Sequence, residues 1–338
     1  MNTRISFLLL FFILAVTADA QELVELPGKP GVSLRGLSVV NERMLWVSGS
    51  KGTVGRSTDG GKHFTWMTVK GHEQRDFRDI EAFDAVTAVV IAVDSPGLIL
   101  RTYDGGATWN QVYRNNRSGI FLDAMTFWKD EKGMVIGDPL DGRFFLLQTD
   151  DSGRSWRELP EQERPLADTG EACFAASGSN IRLLSGSRFA FVSGGRKSRA
   201  FVDGKVVNLP LVQGEATTGA NGLAVRKAGR KKNSRKWVVV GGDFAKDTSR
   251  ASNIAITTDG GRTWKAADVP PFGYRSGVVF LNGRKLVACG TSGVDVSSDG
   301  GRTWRNISKT GYHVTQRSKS GRAVYLAGGN GRVARLKW

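Results

Sequence analysis

Thr102-Tyr103-Asp104-Gly105-Gly106-Ala107-Thr108-Trp109 decides the fold, because the same eight-residue pattern returns four more times. It recurs as Ser57-Thr58-Asp59-Gly60-Gly61-Lys62-His63-Phe64 and Thr149-Asp150-Asp151-Ser152-Gly153-Arg154-Ser155-Trp156. It recurs again as Thr257-Thr258-Asp259-Gly260-Gly261-Arg262-Thr263-Trp264 and Ser297-Ser298-Asp299-Gly300-Gly301-Arg302-Thr303-Trp304. Each position has a physical task. The hydroxyl and the carboxylate can accept hydrogen bonds from the backbone of a turn. Glycine supplies a positive φ without steric cost, and the aromatic ring carries a large apolar area to pack between sheets. One copy would be weak; five in register make a repeat architecture.

The intervals between the aspartates are 45, 47, 108 and 40 residues. A period in the forties suits a four-stranded propeller blade. The long interval holds two units, one with a lost box, and the turn Val202-Asp203-Gly204-Lys205 lies near its middle. Apolar, β-branched runs such as Ala88–Ala92, Trp237–Gly241 and Ala323–Ala327 are bounded by turn residues and read as strands. No stretch of the mature chain has helical periodicity. The reading is an all-β, seven-bladed propeller with blades at 31–70, 75–114, 119–160, 170–212, 217–269, 273–308 and 311–338. Six or eight blades are the alternative counts. The last unit lacks an outer strand, which Leu23-Val24-Glu25-Leu26 can supply to close the ring.

Residues 1–20 read as a signal peptide: Arg4, an apolar run over 5–16, then Ala18-Asp19-Ala20 at a cleavage spacing. Residues 21–338 are then one propeller domain, periplasmic or secreted, with no segment apolar enough to span a membrane. The net charge of +16 directs attention to anionic partners, an acidic protein surface or an acidic glycan, with nucleic acid less natural in that compartment. The stretch 226–236 carries seven positive charges and no acid, as an exposed basic hairpin. The only cysteines, Cys173 and Cys289, fall in different blades and read as two buried thiols. No His/Cys cluster suits zinc and no glycine loop suits a nucleotide, so no cofactor is expected.

The five boxes resemble the BNR/Asp-box propellers, a group that includes sialidases, xyloglucanases and sortilin-type receptors. The pattern is most similar to the photosystem II stability/assembly factor-like propellers, through Phe77–Ile80 followed by Gly97–Trp109 and through Gly293–Trp304. The resemblance covers essentially the whole mature chain. It implies that Asp59, Asp104, Asp151, Asp259 and Asp299 are structural, on peripheral hairpins. It also implies an assembly or scaffold role, although nothing in the sequence points to a photosystem. The sialidase Arg-Ile/Leu-Pro motif is missing.

Propellers bind at one end of the central channel, so the residues just before each inner strand are the candidates. These are Arg78, Asp79, Asp123, Glu171, Asn221, Arg275 and His313, joined by Asp94, Asp138, Arg196 and Asp243 on the turns after second strands. The leading expectation is a non-enzymatic, monomeric propeller that binds an anionic partner through Arg78, Asp79, Asp123, Asp243, Arg275 and His313. The rival is a glycoside hydrolase or lyase acting on an acidic glycan. In that reading Asp138 and Glu171 are the acid pair, with Arg78 and Arg275 gripping the substrate.

Overall fold

Each repeat folds as a twisted antiparallel sheet that cannot bury both faces alone, so seven of them stack around an axis. In this computed structural model, which describes residues 21–129, 131–184, 188–228 and 232–338, almost every element is a strand. The seven inner strands are Leu34–Val39, Phe77–Ala82, Leu122–Trp128, Ile181–Leu183, Thr218–Ala228, Gly277–Phe280 and Val314–Arg317. They belong to blades 1 to 7 in that order. The blades match the seven repeat units, and the six- and eight-bladed alternatives fall away.

The ring closes as the sequence predicts. Glu22–Leu26 is the outermost strand of blade 7, antiparallel to Val333–Lys337 with Leu26 opposite Val333. The first and last strands of the described chain share one sheet, and no blade is left with an open lateral face. The signal peptide expected at 1–20 lies outside the described residues.

The core consists of wedges between neighbouring blades. Trp46 of blade 1 is fully buried against Val90 and Leu98 of blade 2. Phe144 of blade 3 meets Phe191 of blade 4 at 5.0 Å, and Phe191 stacks on Phe201 at 4.3 Å. Buried aromatic pairs of this kind add about 0.5–1.5 kcal/mol each beyond their area. Cys173 and Cys289 are buried, unpaired and in separate clusters.

The boxes sit between third and fourth strands, on the outer hairpins. In blade 2, the Thr102 hydroxyl accepts from the Gly106 amide at 2.9 Å, and Asp104 accepts from the Thr108 amide and hydroxyl at 2.9 and 2.6 Å. These bonds, the Thr108 hydroxyl first, hold Asp104 down to about 2. At Asp151 and Asp299 partial burial pushes upward, but bonds from Ser155 and Thr303 outweigh it and both stay at about 2. Asp59 and Asp259 are lowered as well, by bonds from His63 and Thr263. Blade 4 has lost its box, and a two-residue turn replaces it, with Asp203 and Gly204 at φ 50° and 77°. Both residues at positive φ is the geometry that matches strand twist in a tight hairpin.

Candidate functional site at the channel mouth

The inner strands share a local irregularity. Their pairing with the second strand skips one residue at Arg35, Arg78, Asp123 and Asn221, in blades 1, 2, 3 and 5. Such a bulge leaves the extra residue out of the ladder and re-aims its side chain. His313 occupies the matching place in blade 7 and Ser276 in blade 6, each donating its amide to the residue that the strand's first paired residue faces. One end of the channel is therefore ringed by out-of-ladder residues from six blades.

The ring is unevenly charged. Arg35 and Arg78, from adjacent blades, lie close enough that Arg78, after burial, pulls the Arg35 pKa below its ordinary value. Arg78 Nε donates to Asp76 at 2.8 Å, and its guanidinium lies over the Phe121 ring at 5.9 Å. Arg35 is partly buried, and no described residue gives it a hydrogen bond or an ion pair. His313, from the adjacent blade 7, lies beside Arg35, its Nδ1 3.1 Å from the Leu34 carbonyl oxygen. Burial, and then repulsion from Arg35, bring His313 down to about 4, so its ring is neutral near pH 7.

Carboxyl groups gather on blade 3. Asp123 is fully buried with neither oxygen well bonded. Burial and the neighbouring Asp138 carboxylate push it well above the usual range, and Arg78 opposes. Asp138 accepts from the Cys173 amide at 2.9 Å, yet burial raises it to about 6. The mouth thus places two guanidinium groups beside Asp123, a carboxyl that favours the neutral form, and Asp138, raised to about 6.

The other candidates stand outside this charged cluster. Arg275 is not in the mouth: it is completely buried, paired with Asp295 of the same blade, and bonded to the Tyr274 and Phe272 carbonyls. It occupies the core position held by Leu34, Phe77 and Tyr312 in other blades, one residue before the bulge. Glu171 is buried under Arg199, which reaches both its oxygens, and it also takes the Ser193 hydroxyl and the Asp168 amide. Asp79 is an anchor between inner strands: its carboxylate accepts from the Met125 and Ile80 amides at 2.7 and 2.9 Å. Asp243 caps a short turn by accepting from the Ala245 amide at 3.0 Å. Asn221 is buried and accepts from the Tyr274 hydroxyl at 2.7 Å. Asp94 and Arg196 lie exposed on surface turns. The structure therefore brings Arg78, Asp123, Asp138 and His313 together and leaves Asp79, Glu171, Asp243 and Arg275 in packing roles.

Sequence reasoning missed Arg35. Aligning Leu34-Arg35-Gly36 on Phe77-Arg78-Asp79 within the repeat would have exposed it. It also missed a plug. Residues 173–180, between blades 3 and 4, cross the channel instead of hugging its wall. Ser177 donates to the Ser276 carbonyl of blade 6 at 2.7 Å, and Ser179 accepts from the Leu223 amide of blade 5 at 2.8 Å. Gly178 abuts Asp79 of blade 2, where a Cβ would stand 2.4 Å from the carboxylate. The mouth is thereby floored.

Seven four-to-six-stranded sheets, Asp-box hairpins and a charged, floored mouth define the class: a seven-bladed Asp-box β-propeller. No protein-family model matches the chain. Two curated relatives, the photosystem II assembly protein Ycf48 of Synechococcus sp. strains JA-3-3Ab and JA-2-3B'a(2-13), are 29% and 28% identical over 176 residues. That is 52% of this chain and 44% of each relative, so the chain spans less than half the length of the curated relatives it matches. Among solved structures, Ycf48 bound to a D1 peptide superposes with a TM-score of 0.65 at 17% identity, covering 96% of this chain and 97% of that one. Ycf48 from Cyanidioschyzon merolae gives 0.63 at 16%, covering 93% and 98%. The WD40 propeller of Doa1 gives 0.60 at 13%, covering 94% and 97%. The chain is similar to photosystem II assembly-factor propellers, as its boxes imply.

Proposed function

We propose that this chain is an exported, non-enzymatic assembly or scaffold propeller that docks an anionic protein segment at the channel mouth. The observation that carries the reading is Arg35, partly buried in that mouth with no described protein partner, beside Arg78. A guanidinium in a concave, desolvated site offers a planar fork to a carboxylate. The chain-wide charge of +16 favours approach of an acidic partner. The structural neighbour that holds a D1 peptide supports a peptide-binding role for this architecture.

The glycan-cleaving alternative finds less support. Glu171 is engaged by Arg199, and Arg275 is sealed against Asp295, so the expected acid pair and its arginine clamp do not share the mouth.

Fluorescence anisotropy with a panel of acidic and charge-neutral peptides tests the proposal. Acidic peptides bind, the affinity falls as salt rises, and the double variant Arg35→Ala/Arg78→Ala loses at least about 2 kcal/mol of binding. Equal binding by neutral peptides, or full binding by the double variant, rules the reading out.

A further inference from the structure

The far side of the plug holds a second cavity. Its volume is about 630 Å³, and all seven inner strands contribute to its wall. That lies within the roughly 300–1,000 Å³ of small-molecule sites. Gly178 forms part of its floor, and Lys129, Asn282 and Gly283 stand exposed at its rim.

The wall is basic. Its described cations are Lys129, Arg182, Arg226, Arg317 and Lys319, against Asp79 and Glu81. Glu81 is already matched by Lys319 at 2.6 Å. Burial raises Asp79 well above the usual carboxylate range, so it offsets little of the positive charge. Among the described residues, the hydrogen bonds of the three arginines go to backbone oxygens. Arg182 donates to the Ile181 carbonyl at 2.8 Å, Arg226 to Gly283 at 3.4 Å and Arg317 to Gly321 at 2.8 Å. No described carboxylate lies within ion-pair distance of any of them. Burial lowers Arg182 to about 10, against the pull of the nearby Asp79 and Glu81 carboxyls. Phe280, Leu183 and Met125 supply apolar wall between the charges.

Guanidinium groups that line one cavity with no ion-pair partner among the described residues call for an anionic occupant. We propose that this cavity, at the end of the channel opposite the mouth, binds a small organic polyanion. At least two anionic oxygens of the ligand would bridge Arg182, Arg226 and Arg317 while its carbon body rests on Phe280 and Leu183. The site is independent of the protein-docking mouth, because the plug at 173–180 lies between them.

Isothermal titration calorimetry on the mature chain, with citrate and separately with pyrophosphate at ionic strength balanced by NaCl, tests it. Saturable one-to-one binding of either probe is expected. Arg226→Gln/Arg317→Gln weakens it about tenfold or more, since each lost charge-assisted pair removes a strong contact. Arg78→Gln, at the mouth, leaves it unchanged. Should the double Gln variant fail to fold by circular dichroism, Arg226→Lys/Arg317→Lys keeps the charge and loses the fork, and a several-fold weakening is expected. A preference for citrate identifies a polycarboxylate ligand, and a preference for pyrophosphate a phosphorylated one. No saturable heat with either probe, or wild-type binding by the folded arginine variants, overturns the proposal.

Discussion

The guanidinium of Arg275 and the carboxylate of Asp295 form an ion pair with side-chain exposures of 0% and 1%. Asp295 stands on the third strand of blade 6 and also accepts from the Phe272 amide at 3.1 Å, so the pair ties the loop before the inner strand to its own sheet. Removing one partner leaves the other charge buried and unmatched. Asp295→Ala is expected to destabilise the chain by about 3–5 kcal/mol, measured by urea denaturation. The double variant Arg275→Leu/Asp295→Leu is expected to recover much of that loss, because other blades hold apolar side chains at the position of Arg275.

Asp138 gives a pH dependence of defined sign. Its folded pKa is raised to about 6 by burial. A raised carboxyl contributes stability below its unfolded value, near 4, and that contribution disappears as pH rises through about 6. Asp138→Asn keeps an acceptor for the Cys173 amide and removes the ionisation. At pH 8 the variant is expected to be more stable than the parent by about 1–2 kcal/mol, with no gain at pH 4. Melting temperatures at the two pH values decide it.

Ser152 occupies the place where four of the five boxes have glycine, at φ 64°. A side chain in the left-handed region costs about 1 kcal/mol. Ser152→Gly is expected to raise stability by about that amount in chemical denaturation, because Arg101 bonds the backbone carbonyl of Ser152 and loses nothing.

Gly178 has φ 61° and faces the Asp79 carboxylate. Gly178→Ala adds backbone strain and a clash, expected to cost about 2–4 kcal/mol. Hydrogen exchange should show lost protection across 173–180 first. Unchanged exchange there would mean that the plug does not depend on this contact.

Much of the architecture was legible because each blade carries its own local signals. The Asp-box turn is built from hydrogen bonds within eight residues, so Asp104 and Thr108 reveal their geometry without knowledge of anything distant. Closure by Leu23–Leu26 was legible for a related reason: blade 7 ran out of strands, and an unpaired edge demands a partner. The site was less legible. Arg78, Asp123 and His313 were found from their position before inner strands. Arg35 was passed over, and Arg275 was placed one residue out of register. Along a strand a shift of one residue turns the side chain from channel to core, and only the bulges show which residue is displaced.

Local chemistry in the chain, then, was enough to determine the repeat and the closing strand, and to favour seven blades over six or eight. Tertiary structure alone decided which charges meet. Pairing of Glu171 with Arg199, a plug crossing the axis to reach Asp79 and Ser276, and an unmatched Arg35 all depend on contacts between segments far apart in sequence. Such contacts are set by how the sheets stack and how their registers slip, which no short-range pattern encodes.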